Sequence, residues 1–420
     1  MKRTNWPFVR LGEIAEFRNG LNYNKDNFGK GLKVVNVKDF HDRLIANLSE
    51  LEEINPVGVI REECLLKDDD IIFVRSNGNR ELIGRSMFVK GVIGPVSHSA
   101  FSIKVRFIAK GVLPRFYAYV FRTALIRTEL SNRGGGTNIS NLNQDILNSL
   151  EVPKPSLTAQ HKIVSVLSAY DDLIENNTRR IAILESMAQA LYREWFVEFR
   201  FPGHEKGKLV NSAMGKIPAA WKNLPLSQVA DVNARSIKKE KVPEEVNYVD
   251  IASVSTGKID EVRLLPFAEA PGRARRIIRH GDIIWSTVRP NRRSYSLILN
   301  PLENMIASTG FAVISGTKAP FTYLYHALTT EDFVGYLVNH ATGSAYPAVN
   351  SGDFEKANIL VPTQDILDAF DDATNGMFLL KHTLQEKNRR LRTTRDLLLP
   401  KLISGKLEVE ELDIDAAVTE

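Results

Sequence analysis

The 420-residue chain carries a net charge of +5 and one cysteine, Cys64, and contains no apolar run of transmembrane length. It is therefore expected to fold as at least two soluble domains, without a disulfide framework or a cysteine-rich zinc site. A charged start at Met1–Phe17 without an apolar core gives no secretory signal, so a reducing cytoplasm fits, and the sequence pI of about 9.0 mildly favours a polyanionic partner.

Residues 1–155 read as a first mixed α+β domain. Val34–Val37, Ile71–Val74 and Phe101–Val105 are strand candidates, rich in β-branched and aromatic residues. Asn77-Gly78, Gly94-Pro95 and Gly134-Gly135-Gly136 punctuate them, and Pro114–Arg127 is a helix candidate with proline at its start. Asp68-Asp69-Asp70 before a strand reads as a solvated turn, His98 as a structural or polar-contact histidine, and Cys64 as a partly buried thiol.

Residues 156–201 read as a long helix with Ser156 as N-cap. Apolar residues return in alternating steps of four and three at Ile163, Leu167, Tyr170, Ile174, Asn177, Ile181, Leu184, Ala188, Leu191 and Trp195. That is the seam period of a coiled coil, spanning roughly 50 Å at 1.5 Å per residue. Phe201-Pro202-Gly203 should stop it, and a polar linker, 202–217, follows.

The second half repeats the first. Trp6, Leu11, Ile14 and Ala15 match Trp221, Leu226, Val229 and Ala230, while Asp70–Phe73 matches Asp282–Trp285. Tyr117 and Tyr119 match Tyr323 and Tyr325, and Val152-Pro153 matches Val361-Pro362. Residues 218–362 are thus a second domain of the same kind, and 363–405 a second long helix. Its seam runs Ile366, Phe370, Ala373, Met377, Leu380, Leu384, Lys387, Leu391, Thr394 and Leu398, before an acidic tail at 406–420 that should fray. The two helices are expected to pair, with Asn177 and Lys387 as polar devices that fix register. The alternative is two core helices in separate bundles.

The motifs of catalysis are missing. There is no G-x-x-x-x-G-K-[ST], no G-x-S-x-G, no H-E-x-x-H and no adenine-methylating Asn-Pro-Pro-aromatic sequence. Binding signals are present. Arg273, Arg275, Arg276, Arg279, Arg289, Arg292 and Arg293 crowd one stretch, opposed there by Asp282 alone, with Asn291 among them. Such a cluster favours phosphates and guanine edges over a merely solvated loop. After the matching strand of the first half come Arg75, Asn77, Asn79 and Arg80. Two polar loops, Ser131 to Asn138 with Arg133, Thr137 and Asn138, and Gly343 to Tyr346, recur at matching places.

The sequence resembles the specificity subunit of a type I DNA restriction-modification system. The resemblance rests on Pro155-Ser156-Leu157 with Gln160, Ile163-Val164 and Leu167-Ser168; Asp171–Glu175; Leu191–Phe196; and Phe199–His204. In the second half Gly281–Ile284 and Leu397–Gly405 carry it. It implies two target recognition domains joined and separated by antiparallel helices, each domain reading half of a split double-stranded DNA target. It also implies two modification subunits that methylate adenine with S-adenosylmethionine, and restriction subunits that use ATP and Mg²⁺. This chain would hold no cofactor, do no catalysis and touch no membrane. The competing readings are a stand-alone DNA-modifying enzyme, weakened by the missing motifs, and a coiled-coil scaffold without a nucleic-acid role, weakened by the arginines.

Overall fold

In the computed structural model, which describes residues 6–40, 43–133, 141–212, 215–238 and 242–409, the two seams form helices at Leu157–Tyr192 and Gln364–Ile403. Ser156 caps the first, its hydroxyl accepting the Ala159 amide at 3.2 Å. The buried Gln160 carboxamide accepts the Leu113 amide and donates to the Gly111 and Pro155 carbonyls, fixing the helix start to the preceding domain. This helix ends earlier than Pro202 would make it. It widens into a π-turn at Arg193–Val197 and breaks at Phe199, whose φ of 57° is left-handed. The second helix runs through Pro400 to Ile403 and is closed by Gly405 at φ 68°. A Cβ on Gly405 would stand 2.7 Å from the Trp6 ring, so glycine answers both the turn and the close approach.

The chain divides into two units, Met1–Glu175 with Asn388–Glu420, and Asn176–Lys387, so each unit closes on a part of both helices. In the first unit, Asn388 donates to the Ile174 carbonyl and Arg395 to Asp171, while Ile163 and Leu167 share a core with Leu399 and Leu402. Numbers rise on one helix as they fall on the other, so the segments are antiparallel. In the second unit Lys381 pairs with Glu185, Phe378 packs with Ala188 and Phe370 meets Trp195, again antiparallel.

Among the seam positions, Ile163, Leu167, Ile174, Asn177, Phe370 and Leu384 are buried, and Tyr170, Ile181, Leu184, Leu191, Met377 and Leu391 half-buried. Four assignments on the second helix are corrected. Ala373, Lys387 and Thr394 are exposed and Leu380 is 40 % exposed; the buried polar residue near Lys387 is Asn388. Leu367, Phe370, Thr374 and Phe378 carry the buried stripe into this region, with steps nearer the 3.6-residue helical period than the 3.5 of a strict heptad.

Each unit is built on the same strands. In the first, Phe8–Arg10 pairs with Glu151–Pro153 just before the long helix. A four-stranded antiparallel sheet runs in the order Ala15–Asn19, Ser102–Phe107, Ile71–Val74, Ser86–Phe88. A second sheet sets Phe28–Val35 between Glu52–Ile54 and a parallel partner, Val96–His98. The second unit repeats this with Lys222–Pro225 on Asn358–Val361, and the order Ala230–Val232, Phe311–Gly316, Ile283–Ser286, Tyr295–Leu297. Its other sheet again holds a parallel pair, Glu245–Val249 with Met305–Ser308, and adds an edge strand, Ala274–Ile277. The Pro114–Arg127 candidate is two helices, Pro114–Val120 and Ala124–Arg133.

Several polar assignments change. Asp68 and Asp69 are exposed, but Asp70 is buried, because Arg106 clasps its carboxylate at 2.7 and 2.6 Å. The matching Asp282 is buried too, accepting from Arg235, Ser315 and the Arg279 amide. A carboxylate out of water persists only when paired and hydrogen-bonded, and both are. His98 is buried with Nδ1 2.8 Å from the Ser102 hydroxyl; burial, then the Lys104 charge, hold its pKa at about 3. Cys64 is buried and its thiol pKa raised by that burial. The linker contains a hairpin, Leu209–Ser212 with Gly215–Pro218, and the start of the tail packs, with Leu407 and Val409 against the first unit's core.

Candidate nucleic-acid interface

In the second unit the central strand Ile283–Ser286 empties into a loop held almost entirely by main chain. Thr287 donates its amide and hydroxyl to the Gly310 carbonyl, both at 2.9 Å. The Val349 amide reaches the Thr287 carbonyl at 2.9 Å, Val288 bridges Ala348, and the Arg289 amide reaches Pro347 at 2.7 Å. Thr342 and Ala348 exchange both amide bonds, closing the loop that holds Gly343–Tyr346. Two loops distant in sequence thus form one platform.

The side chains on this platform are strongly polarised. Arg289 and Arg293, both left-handed at φ 51° and 55°, flank the short turn Pro290–Arg292. Such a conformation costs an L-residue about 1–2 kcal/mol and is held here by the surrounding bonds. The Arg289 guanidinium lies 4.4 Å from the Tyr346 ring centroid and donates to the Ala345 carbonyl at 3.1 Å. Asn291 and Arg292 are exposed. Arg293 forms a fork with Glu331, whose pKa that hydrogen bond lowers.

The seven arginines do not form one cluster. The Arg273 carbonyl accepts the Thr309 amide, which places it beside Gly310 at the platform end. The edge strand then leads away: Arg275 stacks on Phe267 at 5.1 Å, Arg276 donates to Ser236, and Arg279 lies beside Asp282 at the other end of strand Ile283–Ser286. Asp282 does not oppose the cluster either, being taken by Arg235. Among the described residues none forms an ion pair with Arg273, Arg279 or Arg292.

The first unit repeats the main-chain clamp. Strand Ile71–Val74 exits at Arg75, whose amide reaches the Phe101 carbonyl and whose carbonyl accepts the Leu142 amide at 2.9 Å, while Ser76 bridges Asn141. The Arg75 guanidinium donates to Ala100 at 3.4 Å. Asn77 and Asn79 each accept a backbone amide two residues on, at 2.7 and 3.0 Å, so each builds a turn with its oxygen and keeps its N–H donors. Arg133 is committed to its own helix by an ion pair with Glu129 at 2.6 Å, which withdraws it as a reader. Thr137, Asn138, Gly134–Gly136 and the side chain of Arg80 lie outside the described residues. Sequence reasoning missed Glu331 and Arg235 as partners, since each lies tens of residues from the arginine or aspartate it neutralises. Among the described residues, no group of three or more His, Cys, Asp or Glu could hold a metal, and no helix is long and apolar enough to cross a membrane.

Duplicated α+β units joined by two long helices, each unit presenting a polar two-loop platform, define a class of paired recognition modules. Residues 3–186 match the family model described as the type I restriction modification DNA specificity domain. The MjaIX specificity subunit of a type I restriction enzyme from Methanocaldococcus jannaschii is 26 % identical over 318 residues, covering 72 % of this chain and 71 % of the relative. The HindI specificity subunit of Haemophilus influenzae is 25 % identical over 328 residues, covering 63 % and 70 %. A crystal structure of the type I restriction-modification S subunit from M. genitalium shares the fold, with a TM-score of 0.60 at 16 % identity over 96 % of this chain and 97 % of that one. Over most of its length the chain is thus similar to type I restriction-modification specificity subunits.

Proposed function

We propose that this chain reads a bipartite, asymmetric double-stranded DNA target, one half through the platform of each unit, and performs no catalysis itself. The observation that carries the reading is the recurrence of one main-chain clamp bearing different side chains: Arg75, Asn77 and Asn79 in one unit, Arg273, Arg289, Asn291 and Arg292 in the other. Phosphate contacts from arginine position a duplex, and arginine or carboxamide forks read base edges. The long helices supply docking faces for two modification subunits and for restriction subunits. Leu173 and Leu397 in the first unit, and Ile183, Met187 and Leu379 in the second, are exposed apolar residues that a partner helix would cover. S-adenosylmethionine, ATP and Mg²⁺ belong to those partners, and the assembly works in the cytoplasm.

The test is adenine-methylation mapping of DNA from cells carrying this chain with its modification subunits. A split motif of two unlike half-sites, lost when the chain is deleted, is expected. A continuous motif, or methyl transfer by the purified chain alone, would overturn the reading.

A further inference from the structure

The strongest unassigned feature is the Arg289–Tyr346 stack. Tyr346 is 68 % exposed, on a loop whose neighbours Gly343, Ser344 and Ala345 are exposed as well. Its ring covers no core; what it holds is the plane of one guanidinium, 4.4 Å away. The Ala345 carbonyl takes one Nη2 donor, and the Pro347 carbonyl fixes the backbone amide of the same arginine. The backbone of Arg289 is left-handed, a conformation its side chain does not favour and which the clamp enforces.

A free arginine gives up its rotamer freedom when it binds, whereas this one is already oriented. The guanidinium carries five N–H donors in a rigid fork, and that fork matches O6 and N7 of guanine in the major groove. The neighbouring charges divide the remaining work. Arg293 is neutralised by Glu331, so it does not compete for the same edge. Arg292, exposed on the same turn, and Arg273, at the same end of the sheet, are placed for phosphates. At the equivalent exit loop of the first unit stand Asn77 and Asn79, so among the described residues the feature occurs in the second unit alone.

We propose that Arg289, held by Tyr346, reads a guanine, and that the half-site bound by the second unit therefore contains an obligatory G·C pair. The inference rests on the reading of this chain as a DNA-recognition subunit and adds to it one base and the residue that selects it. Tyr346 is a positioning residue that acts through Arg289.

The experiment uses the full chain in complex with its modification subunits. A duplex site is first recovered by selection from randomised DNA. Each guanine is then replaced in turn by 7-deazaguanine, which lacks the N7 acceptor. One position in one half-site should cost the wild-type complex roughly ten-fold in affinity and the Arg289→Lys complex no more than about two-fold, since lysine keeps the charge and loses the fork. Tyr346→Ala should narrow the discrimination at that same position with an unchanged melting curve, and Tyr346→Phe should restore it. If the wild-type complex selects a split site but no guanine shows an Arg289-dependent loss, the proposal fails and DNA recognition stands. If Arg289→Lys and Arg289→Ala weaken every sequence equally, Arg289 is a phosphate contact and the proposal fails again. If the wild-type complex selects no sequence, the recognition reading falls and takes the proposal with it.

Discussion

Removing the Asp171 carboxylate should destabilise the first unit far more than removing both members of its ion pair. Asp171 accepts the Arg395 guanidinium and the Tyr119 hydroxyl, each at 2.5 Å. The two charged side chains are only 18 % and 16 % exposed. Asp171→Ala strands a largely buried cation, a change that costs about 3–5 kcal/mol. Asp396 offers Arg395 a second, exposed acceptor at 2.8 Å, which favours the lower figure of about 3. The fully buried Tyr119 hydroxyl also loses its acceptor, adding about 1 kcal/mol or more. For a unit of this size a total near 4 kcal/mol lowers the melting temperature by roughly 8–16 °C. Asp171→Leu with Arg395→Leu leaves no stranded charge and should fall within about 2 kcal/mol of wild type. Urea unfolding followed by hydrogen exchange of the amides in residues 157–175 reads the unit directly. Strict additivity of the two single substitutions in the double variant would refute the coupling, as would an Asp171→Ala protein that melts with the wild type.

Leu384→Asp, at a buried seam position, should cost several kcal/mol, roughly the 2–5 of a buried truncation with a charge added, whereas Leu380→Asp should cost less than about 1; equal melting temperatures would return the seam to the strict heptad phase. His98 is held neutral, with a folded pKa of about 3 against 6.5 in the unfolded chain, so the unfolded state takes up the proton first. Stability should therefore fall as pH drops from about 6.5 towards 3, by about 1.4 kcal/mol per pH unit and so about 2 kcal/mol by pH 5, a slope that His98→Asn removes in urea titrations at the two pH values. Arg292→Ala should weaken DNA binding evenly across sequences and make its salt dependence shallower by up to about one phosphate; an unchanged slope would make that side chain a bystander.

The duplication, the strands and both helices could be read from the sequence because each repeats a strong local pattern. Ile71–Val74 is a strand at its expected bounds, and the first seam has its expected polar residue, Asn177, buried. The second seam slipped for a definite reason. Met377-Phe378 and Leu379-Leu380 are adjacent apolar pairs, so heptad and helical phases both find an apolar residue there. Over three turns a 3.5-residue template drifts from the true helix, and Lys387 falls where Asn388 belongs. The arginine cluster misled in another way. Sequence proximity puts Arg273 and Arg279 together, but a strand between them, at about 3.3 Å per residue, carries them to opposite ends of the sheet. Asp70 looked solvated, and Asp282 looked set against the arginines around it, because their partners, Arg106 and Arg235, come from elsewhere in the chain.

The clamp that joins the platform loops left almost no trace in the sequence, and the cause bears on how such loops can vary. The clamp between the loops is made of backbone groups: Arg75 carbonyl to Leu142 amide in one unit, Thr287 carbonyl to Val349 amide in the other. Amide and carbonyl are common to nearly every residue, so these bonds place little demand on side-chain identity. Selection can then exchange an exposed side chain such as Asn291 or Arg292 without loosening the loop that carries it. A clamp built from side chains would tie specificity to stability, and each new base would cost part of the fold. Here the two are separated within each unit, which is why the matched loops share their bonding while their side chains differ.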